Sequence, residues 1–317
     1  MDRLAMVFPG QGSQSVGMLG DMVDANPSIK KTFSEASNVL GYDLWDRVQQ
    51  GPEDLLNQTA CTQPAMLTAG VAVWRCWTAQ TDCRPSVLAG HSLGEYTALV
   101  CANAMSFSDA VGLVEKRGHE MQKAVPEGSG AMAAILGLSD EQVITCCEQA
   151  AQGEVVAAVN FNSPGQVVIA GNVKAVERAM VQCKSAGAKR ALPIPVSVPS
   201  HCELMRTAAE QFTDTLNSID FKVPEIPVIH NADVEVHQTV DAIRSALSQQ
   251  LYSPVRWVDT IQAMSSRGID TLLEMGPGKV LAGLNKRIDK TQTAIAVNNA
   301  AGLQKALDAV TKLPTTE

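Results

Sequence analysis

The sequence predicts an α/β protein with a parallel sheet, interrupted by a smaller inserted unit. Three observations carry that expectation. Short apolar or β-branched runs alternate with longer helical patterns through most of the 317 residues, as parallel strands require when each crossover is a helix. Between about 128 and 197 the rhythm changes to strand, helix, strand, strand, helix, strand, the order of a ferredoxin-like unit. Both limits of that stretch carry turn and breaker residues, P-E-G-S-G at 126–130 and P-I-P-V-S-V-P-S at 193–200. The expected layout is a large domain over 1–127 and 198–317 and a small one over 128–197, with a cleft between them where ligands commonly bind.

In chain order, the first strand is the apolar run L-A-M-V-F at 4–8. Helical patterns follow over 27–40 and 63–79, then a strand at 86–89 and helices over 94–102 and 106–124. The small unit reads as A-M-A-A-I-L-G-L from 131, a helix over 140–151, V-V-A-A-V-N from 155, Q-V-V-I-A-G from 166, a helix over 173–185 and A-K-R-A-L-P-I from 188. After the second breaker come a helix over 202–218, a strand at 226–229 and helices over 240–250 and 255–265. A strand at 271–273, a helix over 279–288 and a strand at 293–297 complete the order. The tail T-K-L-P-T-T-E is expected to fray.

With 45% hydrophobic and 18% charged residues, the composition is that of a soluble globular protein with a full-sized core. The N-terminal stretch M-D-R-L-A-M-V-F-P-G has no signal-peptide pattern and no run approaches the roughly 18 apolar residues of a membrane span, so a cytoplasmic protein is expected. A formal charge of −8 argues against nucleic-acid binding, which depends on neutralising phosphates. Eight cysteines without a C-x-x-C pair read as reduced and mostly buried, Cys202 included.

The chemistry centres on G-H-S-L-G at 90–94. A serine with glycine two residues away on each side, after an apolar strand and before a helix, fits a nucleophile elbow. The competing reading is an N-cap serine in a capping box with Glu95. A neutral serine needs a base, and five histidines are present: His91, His119, His201, His230 and His237. His91 adjoins Ser92 but its ring is not expected to face the hydroxyl. His119 and His237 sit in polar surroundings, and His230 ends the run I-P-V-I-H. His201, in V-P-S-H-C-E at the expected domain junction, is the favoured base. The Gly-rich stretch F-P-G-Q-G-S-Q after the first strand offers backbone N–H groups that, with that of Leu93, can form an oxyanion hole.

Taken together, F-P-G-Q-G-S-Q, T-Q-P-A at 62–65, G-H-S-L-G-E-Y, V-E-K-R-G at 114–118 and V-P-S-H at 198–201 resemble the malonyl-CoA:acyl carrier protein transacylases of bacterial fatty acid synthesis. N-S-P-G-Q-V-V-I-A-G at 162–171 and E-M-G-P-G-K-V-L at 274–281 extend the likeness. The resemblance implies an α/β-hydrolase-like large domain and a ferredoxin-like small one. It implies acylation of Ser92, His201 as base and then acid, and an oxyanion hole from the amides of Gln11 and Leu93. Arg117 would pair with the free malonyl carboxylate through two parallel hydrogen bonds, a geometry lysine cannot copy. The Gln250 side chain would orient His201, although neighbouring Gln249 fits the pattern nearly as well, and Gln63, Asn162 and His91 would line the substrate cleft.

The implied activity is ping-pong transfer of a malonyl group from coenzyme A to the phosphopantetheine thiol of acyl carrier protein, with no metal or redox cofactor and no membrane or nucleic-acid partner, by a monomer. A free-standing acyltransferase or acyl hydrolase serving a polyketide synthase is the alternative. An acidic carrier must meet a local basic rim on this acidic chain, for which Lys189, Arg190, Lys286 and Arg287 are the candidates.

Overall fold

A computed structural model describes residues 3–196 and 198–311. Of the tail expected to fray, 311–317, all but Thr311 lies outside the described residues. Along the chain the strands are β1 (Leu4–Phe8), β2 (Val87–Gly90), β3 (Gly130–Leu136), β4 (Val156–Ser163), β5 (Gln166–Asn172), β6 (Arg190–Ile194), β7 (Val228–Ile229), β8 (Thr271–Met275) and β9 (Thr293–Val297). Five of them form a parallel sheet in the order β7-β2-β1-β8-β9. β1 and β2 are neighbours with Phe8 opposite Gly90, so the loops leaving their C-terminal ends open side by side. That is where open α/β sheets place ligands.

Because side chains alternate along a strand, each strand feeds both faces of the sheet. Leu4, Met6 and Phe8 point into one buried cluster with the helices Ser28–Leu40, Thr59–Gln80 and Arg206–Ser218. Ala5 and Val7 point into another with the helices Trp257–Ser266 and Val280–Ile288. Every residue of β1, β2 and β8 is buried, as expected of a sheet covered on both sides.

The inserted segment makes a separate antiparallel sheet in the order β4-β5-β3-β6, the ferredoxin-like arrangement. Ala133, Ile135, Val167 and Ile169 pack one face against the helices Asp140–Ala151 and Val173–Ser185. Met132, Val168 and Ala170 on the other face pack with Cys202, next to His201. β4 is also tied to the larger unit by main-chain bonds: Phe161 N–H donates to Val255 at 3.0 Å and Val255 N–H to Val159 at 2.8 Å.

The structure departs from the sequence expectations where local signals compete with packing. The helix expected from 63 begins at Thr59 and runs through Pro64, because the unbroken burial of 61–73 outweighs the one hydrogen bond the proline gives up. The strand expected over 226–229 shrinks to two residues, since Pro227 has no N–H to donate to a ladder. The helix expected over 202–218 is a 3-10 turn, Glu203–Met205, followed by Arg206–Ser218. Helices Leu44–Gln50, capped by Asp43, and Ala300–Val310, capped by Asn299, were not anticipated. All eight cysteines are free and buried. Among the described residues no helix is long and apolar enough to cross a membrane.

Candidate active site

At the end of β2 the chain turns through His91, Ser92 and Leu93 into the helix Gly94–Cys101. Ser92 sits at φ 52°, a left-handed conformation that costs a non-glycine residue about 1–3 kcal/mol. Packing fixes the glycine spacing. A Cβ at Gly90 would lie 1.8 Å from the Gly94 carbonyl carbon, and one at Gly94 would lie 2.0 Å from the Phe8 oxygen. The capping box does not form. The Ser92 Oγ faces the His201 Nε2 at 2.7 Å, and the helix starts without a side-chain cap. Its positive end is thereby left to a developing oxyanion.

His201 also sits in the left-handed region, at φ 66°. Its N–H donates to the Leu251 carbonyl at 2.9 Å, and its Nδ1 lies 2.7 Å from the Gln250 carbonyl oxygen. A carbonyl only accepts, so the proton is on Nδ1 and the Nε2 lone pair faces Ser92, the tautomer a general base needs. This corrects the expectation for Gln250: its main-chain carbonyl, not its side-chain amide, orients the ring. Both carbonyls stand at the end of the helix Val240–Gln250, where the dipole favours an imidazolium. Burial, then the nearby Arg117 charge, lowers the His201 pKa to about 3.

The Gln250 side chain has a different task. Its Nε2 donates to the Ser92 carbonyl at 3.0 Å and to Glu95 Oε2 at 2.8 Å, and its Oε1 accepts from Arg117 Nη2 at 2.8 Å. Glu95, wholly buried, also takes the Asn231 N–H at 3.0 Å and lies 2.7 Å from the His230 Nδ1. Asn231 clamps the turn itself: its Oδ1 accepts from the Ser92 N–H and its Nδ2 donates to the Gly90 carbonyl, both at 2.7 Å. The sequence pointed to neither Asn231 nor this use of Glu95. The N-A-D turn after I-P-V-I-H, directly following a strand that ends beside β2, was the only local hint.

Arg117 is 1% exposed, and none of the ion pairs among the described residues includes it. Its Nη1 donates to the Gln63 Oε1 at 2.9 Å and its Nη2 approaches the Ser92 Oγ at 3.4 Å, while its Nε has no hydrogen-bond partner among those residues. Gly118 brings its helix, Phe107–Lys123, onto the start of Thr59–Gln80: a Cβ there would lie 2.7 Å from the Ala60 Cα. Arg117 and Gln63 meet because of that close approach.

The remaining residues fall around the same point. The His91 ring turns away from the hydroxyl; its Nε2 lies 2.8 Å from the Asn162 Oδ1 on β4, and the ring packs 5.5 Å from Trp257. Burial lowers its pKa. The Gln11 loop abuts the turn, since a Cβ at Gly10 would lie 2.4 Å from the His91 oxygen. Among the described residues neither the Gln11 nor the Leu93 N–H is spent on a protein acceptor. His119 is exposed, His237 pairs with Asp233 at 2.8 Å, and His230 belongs to the Glu95 network. Gln249 is surface-bound to Ser245 at 3.2 Å. Among those residues no group of His, Cys, Asp and Glu is arranged to hold a metal ion.

A strained serine bonded to a neutral, carbonyl-oriented imidazole beside unspent backbone amides is equipped for acyl transfer. Known proteins agree. Over 308 residues the chain is 57% identical to the malonyl CoA-acyl carrier protein transacylase of Escherichia coli strain K12, covering 97% of this chain and 100% of that one. An acyl carrier protein S-malonyltransferase from Vibrio cholerae is 59% identical, with a TM-score of 0.94 over 97% of this chain and 99% of the other. A malonyl-transacylase solved in complex with its type II PKS acyl-carrier protein is 57% identical, with a TM-score of 0.96 over the same shares. Residues 5–316 match the acyl transferase domain, and the chain belongs to that family.

Proposed function

We propose that this acyltransferase moves a malonyl group from malonyl-CoA to the phosphopantetheine thiol of an acyl carrier protein through a malonyl-Ser92 intermediate. The observation that carries the reading is Arg117, a buried guanidinium without a carboxylate partner among the described residues, 3.4 Å from the oxygen that attacks. A cation held so close to the acyl position matches an acyl group that ends in a carboxylate. His201 takes the Ser92 proton, Oγ attacks the thioester carbon, and the oxyanion rests on the amides of Gln11 and Leu93. His201 then protonates the departing CoA thiolate, and the carrier's thiol repeats the steps in reverse. Nucleophile, base and donors all come from the chain, so no metal or redox group has a step to perform.

In this reading the protein is a cytoplasmic monomer. Lys189 and Arg287 line one groove between the small unit and the helix Val280–Ile288, with Arg287 donating to Gln166 at 2.7 Å, and Arg190 and Lys286 are exposed beside them. That rim suits an acidic carrier. The test is intact mass after brief exposure to malonyl-, methylmalonyl- and acetyl-CoA. A malonyl adduct in the wild type, absent in Ser92→Ala and discharged by holo carrier protein, is the expected result. No malonyl adduct, or one discharged by water faster than by the carrier thiol, overturns the reading.

A further inference from the structure

Arg117 and His201 share one oxygen. The guanidinium approaches the Ser92 Oγ at 3.4 Å and the imidazole accepts from it at 2.7 Å, with Arg117 1% and His201 3% exposed. Two cationic side chains, both buried, around one hydroxyl interact strongly, since little water screens them. Acylation must create that situation: as Oγ bonds to the thioester carbon, its proton moves to Nε2 and His201 becomes an imidazolium beside a charged arginine. The neighbours do little to relieve it. Gln63 and Gln250 offer Arg117 neutral amide oxygens, and His91, across the turn, is itself held neutral by burial. Glu95, a carboxylate, stands one side chain further off, with Gln250 between it and Arg117, donating to the one and accepting from the other. The same opposition is visible in the resting state, where the Arg117 charge is second only to burial in keeping His201 unprotonated.

Resting on the malonyl reading, we propose that the carboxylate of the acyl substrate activates the base: by pairing with Arg117 it cancels the charge that opposes imidazolium formation, so selection of dicarboxylic acyl groups operates in the chemical step as well as in binding. An acetyl thioester fits the same site but leaves Arg117 uncompensated when the Ser92 proton moves to His201. The proton and electron balance is unchanged between the two substrates. In each the Oγ–C bond forms, the C–S bond breaks, and the thiolate recovers the proton from Nε2.

Formate, the smallest carboxylate, separates the charge from the acyl chain. Acetyl loading of Ser92 from acetyl-CoA is timed with and without sodium formate, at ionic strength held constant with chloride. In the wild type, saturating formate is expected to raise the loading rate about 10-fold, the equivalent of one pKa unit at the base. In Arg117→Gln, acetyl loading is expected to run at the raised rate already and to ignore formate. No acceleration in the wild type, simple inhibition, or equal acceleration in Arg117→Gln would each overturn the proposal. Malonyl loading of the wild type, measured alongside, keeps the two ideas apart: if malonyl does not load, the function is wrong; if it loads while formate does nothing, only the activation is.

Discussion

In front of Ser92 the hydroxyl meets an imidazole at 2.7 Å and a guanidinium at 3.4 Å, whereas behind it the main chain is tied by Asn231 at 2.7 Å and Gln250 at 3.0 Å. The front holds groups whose charges must change during a reaction, and among the described residues it leaves donors unspent: the Leu93 and Gln11 amides and the Arg117 Nε. Behind, Asn231, Gln250 and both oxygens of Glu95 are all engaged. A strained turn persists only where its surroundings over-determine it. The difference therefore divides the labour: the back fixes a backbone that would otherwise relax, and the front remains free to meet substrate.

That division ranks the expected effects of mutation. Ser92→Ala or His201→Ala removes the nucleophile or its base and should lower transfer by at least about 10⁴-fold, with the fold intact by circular dichroism. Asn231→Ala strikes the back and should do less to the chemistry and more to the protein. It removes the partner of the half-buried Ser92 N–H and of the buried Gly90 carbonyl, the latter alone costing about 1–3 kcal/mol, so a lowered Tm accompanies the kinetic loss. A turn displaced by a fraction of an ångström predicts a loss on the order of 10²-fold, shared equally by malonyl and acetyl substrates. An Asn231→Ala enzyme that loses only malonyl transfer would show that the back selects substrate instead of holding the turn.

The front also makes a pH prediction. His201 serves as base only when neutral, and its pKa is lowered from 6.5 to about 3 by burial and then by Arg117. Between those values the unfolded chain binds a proton that the folded one refuses, so stability falls as pH drops through that window. Activity follows the folded value: kcat/KM should hold from neutrality to about pH 5. Arg117→Gln removes one cause of the depression, so its acid limb should move up toward 6.5. A limb that stays in place would mean that burial alone keeps the imidazole neutral.

The two faces were unequally legible in the sequence. Ser92 announced itself because its two flanking glycines, Gly90 required by a contact inside the turn and Gly94 by one with Phe8 on β1, stand in a recognisable five-residue spacing, and the Gly-rich loop by its own composition. His201 and Arg117 needed more, a breaker-flanked junction for one and a family resemblance for the other. The back was closed to inspection because its bonds join residues 135 to 158 positions apart, His230 and Asn231 brought there by the adjacency of β2 and β7 and Gln250 by the end of the helix Val240–Gln250. Gln250 shows the limit most clearly. Its position was identified and its atom was not, since every residue has a carbonyl and nothing in a sequence marks the one that will orient a histidine.

The smallest expected effect tests whether the back works by geometry or by charge. In Glu95→Gln the carboxamide oxygen can take the place of Oε2 and still accept from Asn231 and Gln250. Its NH₂ then faces the His230 Nδ1, which must give up its proton and carry it on Nε2 instead. The switch costs little in new unmet groups, because the His230 Nε2 is already buried without a hydrogen-bond partner among the described residues. The side chain keeps its volume, Gln250 keeps its orientation, and Ser92 keeps both main-chain ties. Transfer should therefore fall by only a few-fold, about 1 kcal/mol, with the malonyl-to-acetyl ratio unchanged. A loss near that of Asn231→Ala, with Tm unaltered, would mean that the negative charge of Glu95, and not the hydrogen bonds it accepts, is what the back supplies to the front.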